Sequence, residues 1–165
     1  MELERKTVYL LLGSNLGDRR DILEEAISRI DKHIGQVATR SSFYETAAWG
    51  KEDQPSFMNI ALSVFTTLSP HQVLKEALSI EQTLGRVRIE KWGARLIDID
   101  IILYDNERID DQEKLQVPHP RMQERKFVLE PLAEIAADVE HPVLKQKISE
   151  LLSLLNDTLV VSKIL

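Results

Sequence analysis

The stretch Ala94-Arg95-Leu96-Ile97-Asp98-Ile99-Asp100-Ile101-Ile102-Leu103-Tyr104 is mostly Leu, Ile and Tyr, the composition of a strand buried on both faces. Two aspartates, a residue type depleted in strands, interrupt it. Strand side chains alternate, so Asp98 and Asp100 share a face with Cβ atoms roughly 6.6 Å apart. Ile97, Ile99, Ile101 and Leu103 make the opposite face. Two like charges in a low-dielectric place need something cationic to neutralise them. Divalent ions answer this, because two of them about 3.5–4 Å apart fit between paired carboxylates. A wet face, or pairing with arginines, is the plainer explanation of an isolated Asp-x-Asp, so the surroundings must decide.

Immediately upstream, Arg86, Arg88, Lys91 and Arg95 stand against a single acid, Glu90. A basic loop beside an acidic strand suits an anionic small molecule, since binding follows the local field. The whole chain is acidic, with a net charge of −6, which counts against nucleic-acid binding. Its 165 residues, 43% hydrophobic and 29% charged, fit one globular domain over 1–165. No apolar run approaches the ~20 residues of a membrane span, and the polar N-terminus does not read as a secretory signal. Cysteine is absent, which excludes disulfides and thiolate metal sites and makes the cytoplasm the expected location. No exposed hydrophobic seam calls for a dimer, so a monomer is expected.

Elsewhere the pattern alternates between strands and helices. Thr7 to Leu12 reads as a buried strand ending in the turn Gly13-Ser14-Asn15-Leu16-Gly17-Asp18. A helix capped near Asp18 follows, with Ile22, Leu23, Ala26, Ile27, Ile30 and Ile34 on one face and Gly35 closing it. Residues 36–44 read as one alternating strand, and 46–55 as a long loop of the kind that often carries function. Phe57 to Leu68 alternates cleanly. Met58, Ile60, Leu62 and Val64 face a core, while Phe57 and Asn59 point together to the other side. A ring and a carboxamide so placed can stack on a flat heterocycle and bond its edge. Ser69-Pro70-His71-Gln72 is a capping box opening a second helix, which Gly85 is expected to end. Glu81 falls beside its buried stripe. Residues 112–117 form a short excursion before Pro118-His119-Pro120-Arg121, where two prolines pin a histidine beside arginines. Residues 128–137, restarting at Pro131, and 148–155 complete the helices, and the tail from 158 is ambiguous. The order strand–helix–strand–strand–helix–strand predicts an α+β fold, a ferredoxin-like core with a mostly antiparallel sheet and helices packed on it.

Taken in order, the turn at Gly13–Asp18, Ser42-Phe43-Tyr44-Glu45-Thr46, Gln54-Pro55 with Phe57 and Asn59, Gly85-Arg86-Val87-Arg88, Trp92-Gly93-Ala94-Arg95 with Asp98 and Asp100, and Val117-Pro118-His119-Pro120-Arg121-Met122 resemble the 6-hydroxymethyl-7,8-dihydropterin pyrophosphokinases of folate synthesis. The resemblance runs from Thr7 to about Pro142. It implies transfer of the β,γ-pyrophosphoryl group of ATP to the pterin hydroxymethyl oxygen, with release of AMP. It implies Asp98 and Asp100 as ligands of two Mg²⁺ ions, and Arg86 and Arg95 as mobile catalytic arginines. Arg88 and Trp92 belong to the same loop, while Glu81, His119 and Arg125 match nucleotide contacts. For the pterin it implies Phe57 and Phe127 as sandwiching rings, Asn59 on the ring edge, the backbone of Thr46 and Ala48, and a second role for Asp98. Three departures stand out: Ala47-Ala48 where prolines are frequent, Phe57 for a Tyr, and Pro120 for a Tyr. The Ile89–Lys91 segment is also short. Two other readings use the same aspartates: a two-metal nuclease, and a non-catalytic ligand-binding module in which they pair with arginines.

Overall fold

Lys6–Ser14 forms an interior strand, β1, a nine-residue run whose Val8, Leu10, Leu11 and Leu12 are all buried. The computed structural model describes residues 4–15, 17–46, 56–87, 97–112, 114–156 and 160–164. Helix α1 (Arg19–His33) opens on Asp18, whose side chain accepts the Asp21 N–H at 3.1 Å. It buries Ile22, Leu23, Ala26, Ile27 and Ile30. Gly35 follows because α1 meets the sheet there: a Cβ would collide with the Phe65 carbonyl.

The strand expected over 36–44 is broken into β2 (Gln36–Arg40) and β3 (Tyr44–Thr46). The cause is Ser41. Its N–H donates to Ala61 O, and its hydroxyl oxygen accepts the Ala61 N–H, both at 2.9 Å, so a side chain replaces a backbone partner and diverts the ladder. β4 (Phe57–Thr66) pairs with β1, β2 and β3. Helix α2 (Pro70–Val87) carries the expected capping box, with Ser69 N donating to Gln72 Oε1 and Gln72 N donating to Ser69 Oγ. It does not end at Gly85. That glycine stays helical, since Gly17 is the one glycine with positive φ among the described residues, and a helical glycine costs only about 1 kcal/mol.

The aspartate stretch becomes β5 (Asp98–Tyr104), antiparallel to β1. The register slips between Tyr9 and Leu10, leaving Ile102 as an extra residue. This bulge corrects the expected apolar face: Leu103 packs with Ile102 in one core, while Ile99, Ile101 and Tyr104 pack in the other. A hairpin of β6 (Ile109–Asp111) and β7 (Leu115–Val117) follows, then a 3₁₀ turn at Met122–Glu124 and helices α3 (Lys126–Ala136) and α4 (Ile148–Leu154). Pro131 sits inside α3 without interrupting it. The ambiguous tail supplies β8 (Val161–Lys163), paired with β3.

The main sheet runs β5-β1-β4-β3-β8, with β2 also on β4, and every pair in it is antiparallel. This is the ferredoxin-like order. One face packs on α1 and α2 through Leu10, Leu12, Ile60, Leu62 and Val73. The other packs on α3 and α4 through Leu11, Ala61, Leu129, Leu132 and Ile148. No helix among the described residues is long and apolar enough to cross a membrane.

Candidate active site

Sheet register assembles the site. β1 lies between β4 and β5, so Gly13 pairs with Asn59 on one side and Asp98 on the other, and Leu11 pairs with Ala61 and Asp100. Tyr44 pairs with Asn59, and Thr46 with Phe57. Directly paired residues project from the same face. Asp98, Asp100, Asn59, Phe57 and Thr46 therefore share the face of Leu11 and Ala61, the one that α3 covers. They stand at the end of the sheet where β1 and β3 finish and β4 and β5 begin. Phe127, at the start of α3, is partly buried against the same cluster, and the Arg125 guanidinium lies 5.7 Å from its ring centre.

Gly13 has a specific part here. A Cβ on it would stand 2.5 Å from Asn59 Nδ2. Glycine leaves that amide room to donate to Leu12 O at 3.2 Å. Asn59 Oδ1 is buried and accepts nothing, and the same holds for Thr46 Oγ1 and Asn15 Oδ1. Buried acceptors are normally paired, because leaving one unmade costs about 1–3 kcal/mol. Three orphan oxygens at one end of one sheet describe a cradle for a ligand rich in N–H donors.

At the sheet edge, the Ile99 N–H donates to Glu81 Oε2 at 2.7 Å. This contact caps an edge-strand amide and ties α2 to β5 midway between the two aspartates. Beyond that edge lies a cavity of about 470 Å³, whose lining includes Leu74, Ile99, Asp100, Ile101, Leu115 and His119. Gln112, Lys114 and Gln116 of the β6–β7 hairpin add polar groups. A cavity with apolar side chains on the strand and helix side and polar ones from the hairpin can take a flat base and bond its edge, and Asp100 and His119 share its lining.

His119 is fixed by its N–H to Ile102 O at 2.9 Å. Burial, then the charges of Arg125 and Arg121, hold its imidazole below the ordinary histidine pKa, so it is neutral at pH 7. Nδ1 accepts the Arg121 N–H at 3.3 Å, which leaves the proton on Nε2, available to an acceptor.

Among the described residues no group of three or more metal-ligating side chains occurs. Two carboxylates on one face, with Asp98 half-buried and Asp100 exposed, fit magnesium, which takes one or two carboxylates and lets water and phosphate oxygens complete its shell.

The structure thus brings together Asp98, Asp100, Phe57, Asn59, Thr46, Phe127, Glu81, His119 and Arg125. Arg86 lies in the last turn of α2. Ala48, Arg88, Trp92 and Arg95 lie outside the described residues, as do Ala47 and residues 89–91. The hairpin lining of the cavity and the orphan oxygen of Asn15 had no sequence signal, because both depend on which strands become neighbours.

Residues 9–137 match the sequence profile of 7,8-dihydro-6-hydroxymethylpterin-pyrophosphokinase (HPPK). The chain is 47% identical over 133 residues to the 2-amino-4-hydroxy-6-hydroxymethyldihydropteridine pyrophosphokinase of Bacillus subtilis, spanning 80% of this chain and 79% of that one. It is 41% identical over 144 residues to the Aquifex aeolicus protein of the same name, spanning 87% and 89%. A crystal structure of Plasmodium falciparum HPPK-DHPS superposes with a TM-score of 0.77 at 18% identity, over 92% of this chain and 46% of that one, a likeness of fold.

Proposed function

Because the chain belongs to the 7,8-dihydro-6-hydroxymethylpterin-pyrophosphokinase family, we propose how its own residues perform the family's reaction. The protein transfers the pyrophosphoryl group of ATP to the hydroxymethyl group of 6-hydroxymethyl-7,8-dihydropterin, giving AMP and the pterin diphosphate in folate biosynthesis. In this reading the hydroxymethyl oxygen bonds to the β-phosphorus, the bond from that phosphorus to the α,β-bridging oxygen breaks, and AMP leaves. The hydroxyl proton is lost as the new ester forms.

The observation that carries the assignment of sites is the row Asn59–Gly13–Asp98. Two strand spacings separate its ends by roughly 9.5 Å, a span that a bicyclic heterocycle with one substituent can bridge. Asn59 Oδ1 and Thr46 Oγ1 accept ring and amino N–H groups, the Thr46 and Ala48 backbones flank the ring, and Phe57 and Phe127 sandwich it. Asp98, at the far end of the row, faces the hydroxymethyl group and accepts its O–H. The adenine occupies the edge cavity, with the polyphosphate directed toward Asp100. His119 Nε2–H and Arg125 bond the phosphates, while Glu81 holds the edge of the strand on which both aspartates sit. Arg86 and Arg95 offset the charge of the transferring group, and Arg88 and Trp92 close over it. Asp98 and Asp100 would hold two magnesium ions, which supply charge neutralisation and alignment of the polyphosphate. Of the alternatives, a nuclease uses neither the orphan acceptors nor the base-sized cavity, while a non-catalytic ligand-binding module would use both and is told apart by its lack of turnover. We place the activity in one domain over 1–165, acting as a monomer in the cytoplasm with no nucleic-acid or membrane partner; the charge and hydropathy pattern support this.

The test is product analysis. With ATP, Mg²⁺ and 6-hydroxymethyl-7,8-dihydropterin, AMP should form in equal amount to the pterin diphosphate. Formation of ADP, or no turnover, overturns the reading.

A further inference from the structure

Asn15 stands one residue beyond β1 and is 6% exposed, with Oδ1 buried and accepting no hydrogen bond. An asparagine in a strand-to-helix turn ordinarily bonds its own backbone or caps the helix. Neither is the case here. The cap of α1 is Asp18, and the Asn15 oxygen does not satisfy any backbone N–H. A buried acceptor that neither shapes the turn nor caps the helix is a cost to the fold.

Its position says what it is for. Ser14, the last residue of β1, pairs with Met58, and Asn15 follows it directly, at the end of the sheet where β4 begins with Phe57 paired to Thr46. Carried one residue past the strand, the alternation of β1 would turn Asn15 to the face of Gly13. This end of the sheet carries the pair Thr46 and Phe57, with Asn15 just past the end of β1, beside the row of Asn59, Gly13 and Asp98. Asn15 Oδ1 is then the third unmet acceptor at this end of the sheet, with Thr46 Oγ1 and Asn59 Oδ1. It lies on the opposite side of the Asp98 row from Asp100, and therefore away from the nucleotide cavity.

We propose that Asn15 determines specificity for the dihydropterin, with its Oδ1 accepting an N–H of the heterocycle. This rests on the reading of the face as the pterin site. A 2-amino-4-oxo-dihydropterin offers N–H donors on the amino group and on the ring, and a heterocycle without them would leave the Asn15 oxygen buried and unmet.

The experiment uses the full chain and two variants, Asn15→Leu, which keeps the size, and Asn15→Ala. Calorimetry gives the Kd of 6-hydroxymethyl-7,8-dihydropterin in the presence of Mg²⁺ and a non-hydrolysable ATP analogue, and separately the Kd of that analogue. Both variants should lose about tenfold or more in pterin affinity, the scale of one hydrogen bond left unmade, with nucleotide affinity within about twofold of wild type. Pterin affinity within twofold of wild type in both variants overturns the proposal. So does an equal loss for both ligands, which would mean general damage to the fold. Wild type is the control: its failure to bind pterin or form AMP would reject the site reading itself, a result distinct from either variant outcome.

Discussion

The two faces of the sheet obey the same alternation and end differently. Toward α1 and α2, Leu10, Leu12, Ile60, Leu62, Ile99 and Ile101 are apolar and buried along the whole length of the strands. Toward α3 and α4, Leu11, Ala61, Ile102 and Leu103 are just as buried, but the row beyond them is Gly13, Asn59 and Asp98. The difference teaches that one face is spent on stability throughout, while the other is structural only where helices cover it. Each full burial of a Leu or Ile contributes about 1.5–3 kcal/mol, so the apolar face can carry a site face that contributes little.

That separation can be broken directly. Asp98→Asn and Asp100→Asn should each lower turnover by at least about a hundredfold, the scale of losing one preorganised electrostatic contact, while leaving the melting temperature close to wild type. Ile60→Ala, on the apolar face of the neighbouring strand, should do the reverse. It should cost roughly 2–5 kcal/mol in denaturant unfolding with kcat of the folded fraction retained. Aspartate variants that melt like Ile60→Ala would show that the two faces are one energetic unit.

A smaller and sharper contrast lies in two glycines. A Cβ on Gly35 meets the backbone carbonyl of Phe65, which cannot move without parting α1 from β4. A Cβ on Gly13 meets the end of the Asn59 side chain at 2.5 Å, which can move, but only by giving up its aim. Gly35→Ala should therefore lose about 1–3 kcal/mol of stability by overpacking, with the KM for pterin unchanged. Gly13→Ala should melt closer to wild type and raise the pterin KM several-fold, within the scale of one hydrogen bond displaced. Steady-state kinetics and thermal melts on the pair decide it. Equal stability losses would remove the special role of Gly13.

What the sequence could and could not say follows the same division. Periodicity placed α1, the core face of β4 and that of β5 as far as Ile101, because alternation and helical spacing are local. It also put Asp98 with Asp100, and Phe57 with Asn59, for the same reason. It could not see that Asp98 and Asn59 flank one glycine, since register between strands is not written in either. Ser41 broke a strand that alternation had continued, through a hydroxyl that takes a backbone's place. The bulge at Ile102 sent Leu103 to the other core, and Gly85 let α2 run on to Val87. The β6–β7 wall of the edge cavity and the orphan oxygen of Asn15 emerged only once neighbours were known.

The smallest expected effect compares two imidazoles, His119 in the site and His141 in the connection between α3 and α4. Burial holds His141 below the ordinary histidine pKa, and its Nδ1 accepts the N–H groups of Val143 and Leu144, both at 3.1 Å. Burial, Arg125 and Arg121 do the same for His119. In both, the folded protein prefers the neutral ring, so below about pH 6.5 the unfolded chain binds protons that the folded chain refuses. Their contribution to stability is full above that pH and is lost as the pH falls toward each folded pKa. Wild type should thus melt at a lower temperature at pH 5.5 than at pH 7.5. His141→Asn, which keeps an acceptor where Nδ1 was, should flatten that dependence and leave kcat/KM as it is. His119→Gln, which keeps a donor where Nε2–H was, should flatten it too. It should also remove whatever part of the acid limb of kcat/KM comes from protonating His119. Should both variants alter the pH–rate profile alike, the site would extend into the α3–α4 connection, and the boundary between the two regions would have to be redrawn.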